Sequence, residues 1–364
     1  MMRIATFNLE NLFTRPNAMS NSAGAVGQQA LDDHAELNAI VARSVYSDSD
    51  KARLLELDQR YRFSAPIAPD GALIVLQKIR GQLYTREGGA LRISAEGRGV
   101  WTGWFELTRM DVGWNATANT GRVVHETNAD ILICVEVENR PTLERFNEQV
   151  LGAQFGRPFE HVMVIDGNDR RGIDVGVMSR YPIVGVRSHV DDRSDDGARI
   201  FSRDCPEYGI RLPNGELLIV IPNHFKSKRG GNDEKAQALR LAQARRAIEI
   251  GTAATAVTRH VIIGGDLNDT PDSDALAPLW ANGFTDVQDH RDYPTDRPGT
   301  FDTGTAANKI DYLIMSPALR GTLQTTGIER RGSFHPRTWE PFDTVKSKAD
   351  EASDHHLVWA DFRI

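Results

Sequence analysis

Short apolar or alternating runs, each closed by turn-forming residues, punctuate this chain. Seven of them predict strands: residues 3–9 (RIATFNL), 129–137 (ADILICVEV), 173–180 (IDVGVMSR), 216–225 (ELLIVIPNHF), 260–267 (HVIIGGDL), 310–316 (IDYLIMS) and 355–364 (HHLVWADFRI). Helical stretches lie between several of them. Residues 138–152 (ENRPTLERFNEQVLG) place apolar side chains at helical spacing, and residues 233–254 are rich in the helix formers Ala, Leu, Arg and Gln. Strands that alternate with helices, but also with hairpin-like neighbours, predict a mixed α/β protein rather than a purely parallel doubly wound sheet.

Residues 18–128 have a different texture. Polar loop and helix give way to GALIVLQKIRGQLYTREGG, and then to two tryptophans in GVWTGWFELTRM. They are expected to form a helical and loop insertion packed on one domain spanning 1–364, with residues 21–33 partly mobile. Trp101 and Trp104 suit either the insertion's own core or a stacking surface for a base or ring.

The strand ends change the picture. In HVIIGGDLNDT (260–270) a buried-looking strand ends in Asp266 and Asn268, two apart and so on one face of an extended chain. The pattern recurs: Asn8 and Glu10 follow the first run, Glu136 the second, and Asp174 opens the third. Asn223, His224 and Lys226 close the fourth, Asp311 opens the sixth, and Asp354 and His355 precede the last. Each alone reads as a solvated strand end or a turn former. Together, carboxylates gathered with histidines and without a cysteine pattern suit a hard, oxygen-ligated cation such as Mg²⁺ and imidazole acid–base chemistry.

Composition narrows the field. The 364 residues are 26% charged and 40% hydrophobic, ample for a sizeable core, and the two cysteines support neither a disulfide framework nor a zinc site. A net charge of -7 argues against a protein that coats polyanions, though not against an enzyme acting on phosphates with a bound cation. No apolar run approaches the ~18 residues of a membrane span. The N-terminal segment carries no export signal, so a cytoplasmic protein is expected, a mature secreted form being equally consistent.

These segments resemble the endonuclease/exonuclease/phosphatase superfamily over residues 1–17 and about 129–364. ATFNLENLF is similar to its first strand, ADILICVEVEN to the segment ending in its metal-binding glutamate, and PNHFKSK to its asparagine-x-histidine region. GGDLNDTP, NKIDYLIMS and SDHHLV match the remaining motifs in order; Val135 stands where a glutamine is usual. The resemblance implies a four-layered α/β/β/α sandwich of two mixed sheets. It implies that Glu136, Asn8 and Asp354 hold Mg²⁺, with Mn²⁺ able to substitute. His355, oriented by Asp311, would activate water, with Asp266 the alternative base. Asn268 would orient the phosphate, and His224, with Asp174 as its partner, would serve the leaving oxygen. Arg203, Lys226 and Asn223 are candidate substrate contacts, and Trp339 and Phe342 lie in the loop before the closing motif. The expected activity is a metal-dependent nuclease with no obligate protein partner and no membrane insertion. The alternatives are a phosphatase or phosphodiesterase for inositol phosphates, phospholipid head groups or small nucleotides, and a catalytically inactive binding module.

Overall fold

The computed structural model describes residues 1–12, 18, 24–66, 69, 71–108, 114–169, 172–228 and 234–364. They fall into two compact units, Met1–Phe13 with Val112–Ile364, and Thr14–Asp111. In chain order the elements are β1 (Met2–Leu12), α1 (Gly24–Val41), α2 (Asp48–Tyr61), β2 (Ile74–Arg80), β3 (Tyr84–Glu87), β4 (Ala90–Ile93) and β5 (Thr102–Leu107). Then come α3 (Trp114–Thr127), β6 (Ile131–Val137), α4 (Arg140–Phe146), β7 (His161–Ile165), β8 (Asp174–Ser179), β9 (Ile183–Arg187), β10 (Glu207–Arg211) and β11 (Leu217–His224). The chain ends with α5 (Glu234–Ala254), β12 (His260–Asp266), β13 (Thr285–Asp286), β14 (Asp311–Met315), α6 (Pro317–Arg320), β15 (Leu323–Glu329) and β16 (Leu357–Phe362).

The first unit holds two six-stranded sheets, β15-β16-β1-β6-β8-β7 and β13-β14-β12-β11-β10-β9. Each is antiparallel except at its centre, where β1 runs parallel to β6 and β11 to β12. Side-chain parity sorts three apolar layers. Ile4, Ile133, Val220, Ile262, Leu313 and Val358 fill the space between the sheets. Their strand neighbours Ala5, Leu132 and Leu357 turn outward to meet Val123 and Val124 of α3 and Leu143 of α4. On the other sheet Ile219, Ile221, Val261 and Ile263 meet Ala244, Ala247 and Ile248 of α5. Strands covered on both faces read as continuous apolar runs, which is why these central strands stand out in the sequence. The edge strands β7, β9 and β15, and β10 next to β9, lack that signal.

The second unit packs α1 and α2 with two two-stranded sheets, β2-β5 and β3-β4, around Leu37, Leu54, Trp101 and Phe105. Ser47 caps α2 reciprocally with Asp50. The strands correct the expectation of helix and loop alone. Gly88 and Gly89, both with positive φ, make the two-residue turn that joins β3 to β4. Trp101 is fully buried, its indole N–H donating to the Tyr46 hydroxyl at 2.7 Å, whereas Trp104 stands on an exposed face. The expected boundary at 128 also moves: α3 packs Val123 and Val124 into the first unit's core, an apolar face hidden among polar residues of WNATANTGRVVHET. Of the segment 21–33, residues 21–23 lie outside the described residues, and the remainder begins α1.

The glycine pair before Asp266 has a steric cause. Gly265 sits at φ +131°, and a Cβ there would come within 1.9 Å of the Asn223 carbonyl oxygen. Gly265→Ala is expected to cost about 2–4 kcal/mol in urea unfolding; a loss under about 0.5 kcal/mol would show that the strand relaxes freely.

Candidate active site

Three neighbouring strands of the second sheet present a polar rung. In register, His224 of β11 lies beside Asp266 of β12, which lies beside Asp311 of β14. All three are buried. Two carboxylates directly opposite one another repel, so this rung requires a compensating group. His355, from the loop before β16, supplies it: Nδ1 bonds Asp311 Oδ2 at 2.9 Å, and Nε2 lies 3.8 Å from Asp266 Oδ2. His224 Nε2 approaches the same Asp266 oxygen at 3.6 Å, and the Asn8 amide nitrogen, from β1 of the facing sheet, at 3.4 Å. Asp266 Oδ1 accepts the Asn268 backbone N–H at 2.9 Å.

The first sheet contributes its residues through irregular backbone. Pairing of β1 with β6 shifts register beyond Asn8, and that of β6 with β8 shifts between Val135 and Val137. Glu10 and Glu136 occupy these irregularities with φ of 24° and 60°. Left-handed backbone in a non-glycine residue is strained, and bulges of this kind re-aim side chains beside functional sites. Glu136 needs it. Val135 faces the inter-sheet core and Val137 the outer one, so regular alternation would have turned Glu136 outward. Instead its Oε1 lies 3.8 Å from His224 Nε2. Glu10 Oε2 accepts the Asp354 amide at 3.0 Å.

The donor chemistry fits a cation. Asp266, Asp311 and His355 each offer a ligand atom, all within 4.8 Å of one another. Asp311 Oδ1 is buried with no hydrogen-bond partner among the described residues. Burial, and after it the neighbouring Asp354 carboxylate, raises the proton affinity of Glu10. The grouping around Asp266, Asp311 and His355 differs from the expected Asn8, Glu136 and Asp354, which stand around it with Glu10 as an additional oxygen donor.

The family model described as Endonuclease/Exonuclease/phosphatase family matches residues 112–355, more than half the sequence. The chain belongs to the endonuclease/exonuclease/phosphatase family. Members of this family are phosphoester hydrolases that generally use a divalent metal. Among solved structures, a mannosyl-6-phosphatase of Bacteroides thetaiotaomicron shares 16% identity, with 69% of this chain matched to 92% of that one at a TM-score of 0.51. Truncated TDP2 of Caenorhabditis elegans shares 16% over 68% of this chain and 90% of its own, at 0.46. A family protein of Bacteroides thetaiotaomicron shares 15% over 68% and 89%, at 0.48. At such identity the likeness is one of fold. No curated protein matches the sequence. No helix among the described residues is long and apolar enough to cross a membrane.

Within this family member the other expected residues divide. Asp174 Oδ1 accepts the Gly167 amide at 2.8 Å, so the structure gives it a loop to hold. Arg203 is buried with Nε 3.2 Å from Asp169, built into the wall beneath that loop. Asn268 turns its amide to the Phe225 carbonyl at 3.3 Å. Lys226 Nζ donates to the Ser227 carbonyl. Asn223, next to His224, faces the opposite side of β11, and its side-chain amide donates to the Ile221 carbonyl at 3.1 Å. Phe342 is buried in the outer core of the first sheet, and Trp339 packs edge-on against His335 and His356.

Two residues at the site had no role assigned from the sequence. Glu10 stood among the polar strand ends, two residues from Asn8. Thr300 carried no signal, lying eleven residues before Asp311; its hydroxyl donates to Asp311 Oδ2 at 2.7 Å and accepts the Asp311 amide at 2.9 Å, fixing the carboxylate that holds His355.

Burial, the largest cause in each case, pushes the carboxyls of Asp266, Glu10 and Asp174 up to about 7. Burial alone would push His355 down, but Asp311, Asp266 and Asp354 hold it well above the usual imidazole range. The folded protein therefore keeps protons on these carboxyls up to about pH 7, whereas the unfolded chain releases them near pH ~4. Folding takes up protons in that window, so stability falls as pH rises through it, and His355 acts in the same direction. The thermal midpoint of metal-free protein is expected to drop from about pH 5 to about pH 8, less steeply in Asp266→Asn. Mg²⁺ or Mn²⁺ should raise it more at the higher pH. A flat metal-free profile would contradict this electrostatic account.

Proposed function

We propose that this protein is a divalent-metal-dependent phosphoester hydrolase that cleaves nucleic-acid phosphodiesters by in-line attack of water. One observation carries the reading: Asp266 Oδ2 faces Asn8, His224 and His355 nitrogens at 3.4, 3.6 and 3.8 Å. A buried carboxyl near 7 is poised to take a proton at neutral pH. Asp266 accepts the proton of the attacking water as its oxygen bonds to phosphorus. His355, kept protonated by Asp311, donates from Nε2 to a phosphate oxygen. The electrostatics thus favour Asp266 as the base and His355 as the stabilising cation. As the bond from phosphorus to the leaving oxygen breaks, His224 Nε2–H supplies that oxygen's proton. Glu10, Glu136 and Asp354 with Asn8 form the oxygen-rich set that would hold Mg²⁺ or Mn²⁺, which when bound offsets phosphate charge as a Lewis acid.

A second reading, a small phosphoester such as a sugar or inositol phosphate, is favoured by the net charge of -7, because a long nucleic-acid footprint draws on broad positive potential. The fold-level likeness to a mannosyl-6-phosphatase is compatible with either substrate.

Nicking of supercoiled plasmid with Mg²⁺ or Mn²⁺ tests the first reading. EDTA should abolish it, and His355→Ala should lower kcat by about 10²–10⁴. In the pH profile, Asp266→Asn should remove the acidic limb. Hydrolysis of sugar phosphates without nicking would select the second reading, and an acidic limb surviving in Asp266→Asn would reject Asp266 as the base.

A further inference from the structure

The hydrogen-bonded ladder between β11 and β12 stops at the site. His224 and Asp266 are register partners, and the rung beyond them is the Phe225 amide on the Asp266 carbonyl at 2.9 Å. From there residues 225–228 and 267–270 are loops. Loops that carry catalytic groups need support from outside the sheet.

That support comes from α5. Arg240 is fully buried on this helix; its Nε donates to Asp269 Oδ2 at 2.9 Å and its Nη1 to the Lys226 carbonyl at 3.1 Å. Three residues on, and so on the same helix face, Gln243 Oε1 accepts the Lys226 amide at 2.9 Å while its Nε2 donates to the Ile200 carbonyl. Both backbone groups of Lys226 are thus held by one helix. The Asp269 side is fixed in turn, because the Tyr312 hydroxyl donates to its carbonyl at 2.7 Å. The Asn268 amide then closes the gap between the loops on the Phe225 carbonyl.

We propose that Arg240 is a positioning residue: its guanidinium fixes the loop after His224 against the loop after Asp266, and so sets the 3.6 Å approach of His224 Nε2 to Asp266 Oδ2. Its effect on turnover rests on the hydrolase reading; its effect on side-chain placement does not. The geometry asks for arginine. A planar fork sends N–H bonds in two fixed directions at once, where lysine offers one compact ammonium. A buried pair that served stability alone could be exchanged, both partners together, for apolar side chains with little loss.

The test uses the full chain with Arg240→Lys, Arg240→Met and the double variant Arg240→Met/Asp269→Leu. Four quantities are measured: the thermal midpoint, the His224 imidazole NMR signal in metal-free protein, and kcat and KM for bis(p-nitrophenyl) phosphate with Mn²⁺. Arg240→Met is expected to displace the His224 signal and lower kcat about 100-fold with KM within about threefold, as misplacement of a reacting group does. Arg240→Lys, the mildest change, should lose about tenfold. The double variant should regain its thermal midpoint while the His224 signal and kcat stay displaced. Recovery of signal and kcat together with the midpoint, or a wild-type His224 signal in both single variants, would overturn the proposal and leave a structural ion pair. Wild-type protein without turnover would count against the hydrolase reading, and the His224 signal would then decide the positioning role alone.

Discussion

A carboxylate stripped of water where two sheets meet sets the terms for the rest of the first unit. Asp266 is buried beside Asp311 and within reach of Glu136, and nothing favours such a gathering of like charge except counter-charge held close. The contrast with other buried carboxylates is instructive. Asp269 has Arg240, Asp286 has Lys309, and Asp33 has Arg60 and Arg53. Those pairs are closed. At the site the described counter-charge comes from imidazoles, which leaves an acidic surplus suited to a bound cation. Perturbed groups that converge without a permanent partner mark function more than stability.

The architecture explains why the surplus collects at one place. Each sheet is parallel only at its centre, and the two parallel pairs end at the same rim, β1 and β6 with Asn8 and Glu136, β11 and β12 with His224 and Asp266. Parallel strands leave a crevice beyond their carboxyl ends because their connections must cross back over the sheet face. Helix α5 is one such crossover. Besides burying the outer face of its sheet, it reaches the loops at the strand ends, so one element serves core and site together.

Much of this was legible. A strand buried on both faces must be apolar along its whole length, and β1, β6, β8, β11, β12, β14 and β16 each announced themselves that way. Their polar ends were equally plain, which is how Asn8, Glu136, His224, Asp266, Asp311 and His355 were found. The edge strands were not legible, because one solvated face dilutes the pattern, and α3 hid its apolar face among threonines and asparagines.

What the sequence alone determined was the class of the fold, the order of its motifs and the kinds of side chain at the strand ends, since those depend on local alternation and chemistry. What only tertiary structure decided was which neighbours meet. Two adjacent histidines have opposite fates: His355 is drawn up by Asp311, while burial and Arg330 push His356 well below the usual range as it bonds Ser333 and the Asp302 carbonyl. Asn223 and His224 part to opposite faces of one strand, and a bulge turns Glu136 against its own alternation. Proton affinity, counter-charge and the aim of a bulged residue all depend on groups distant in sequence, and only folding brings those groups within reach.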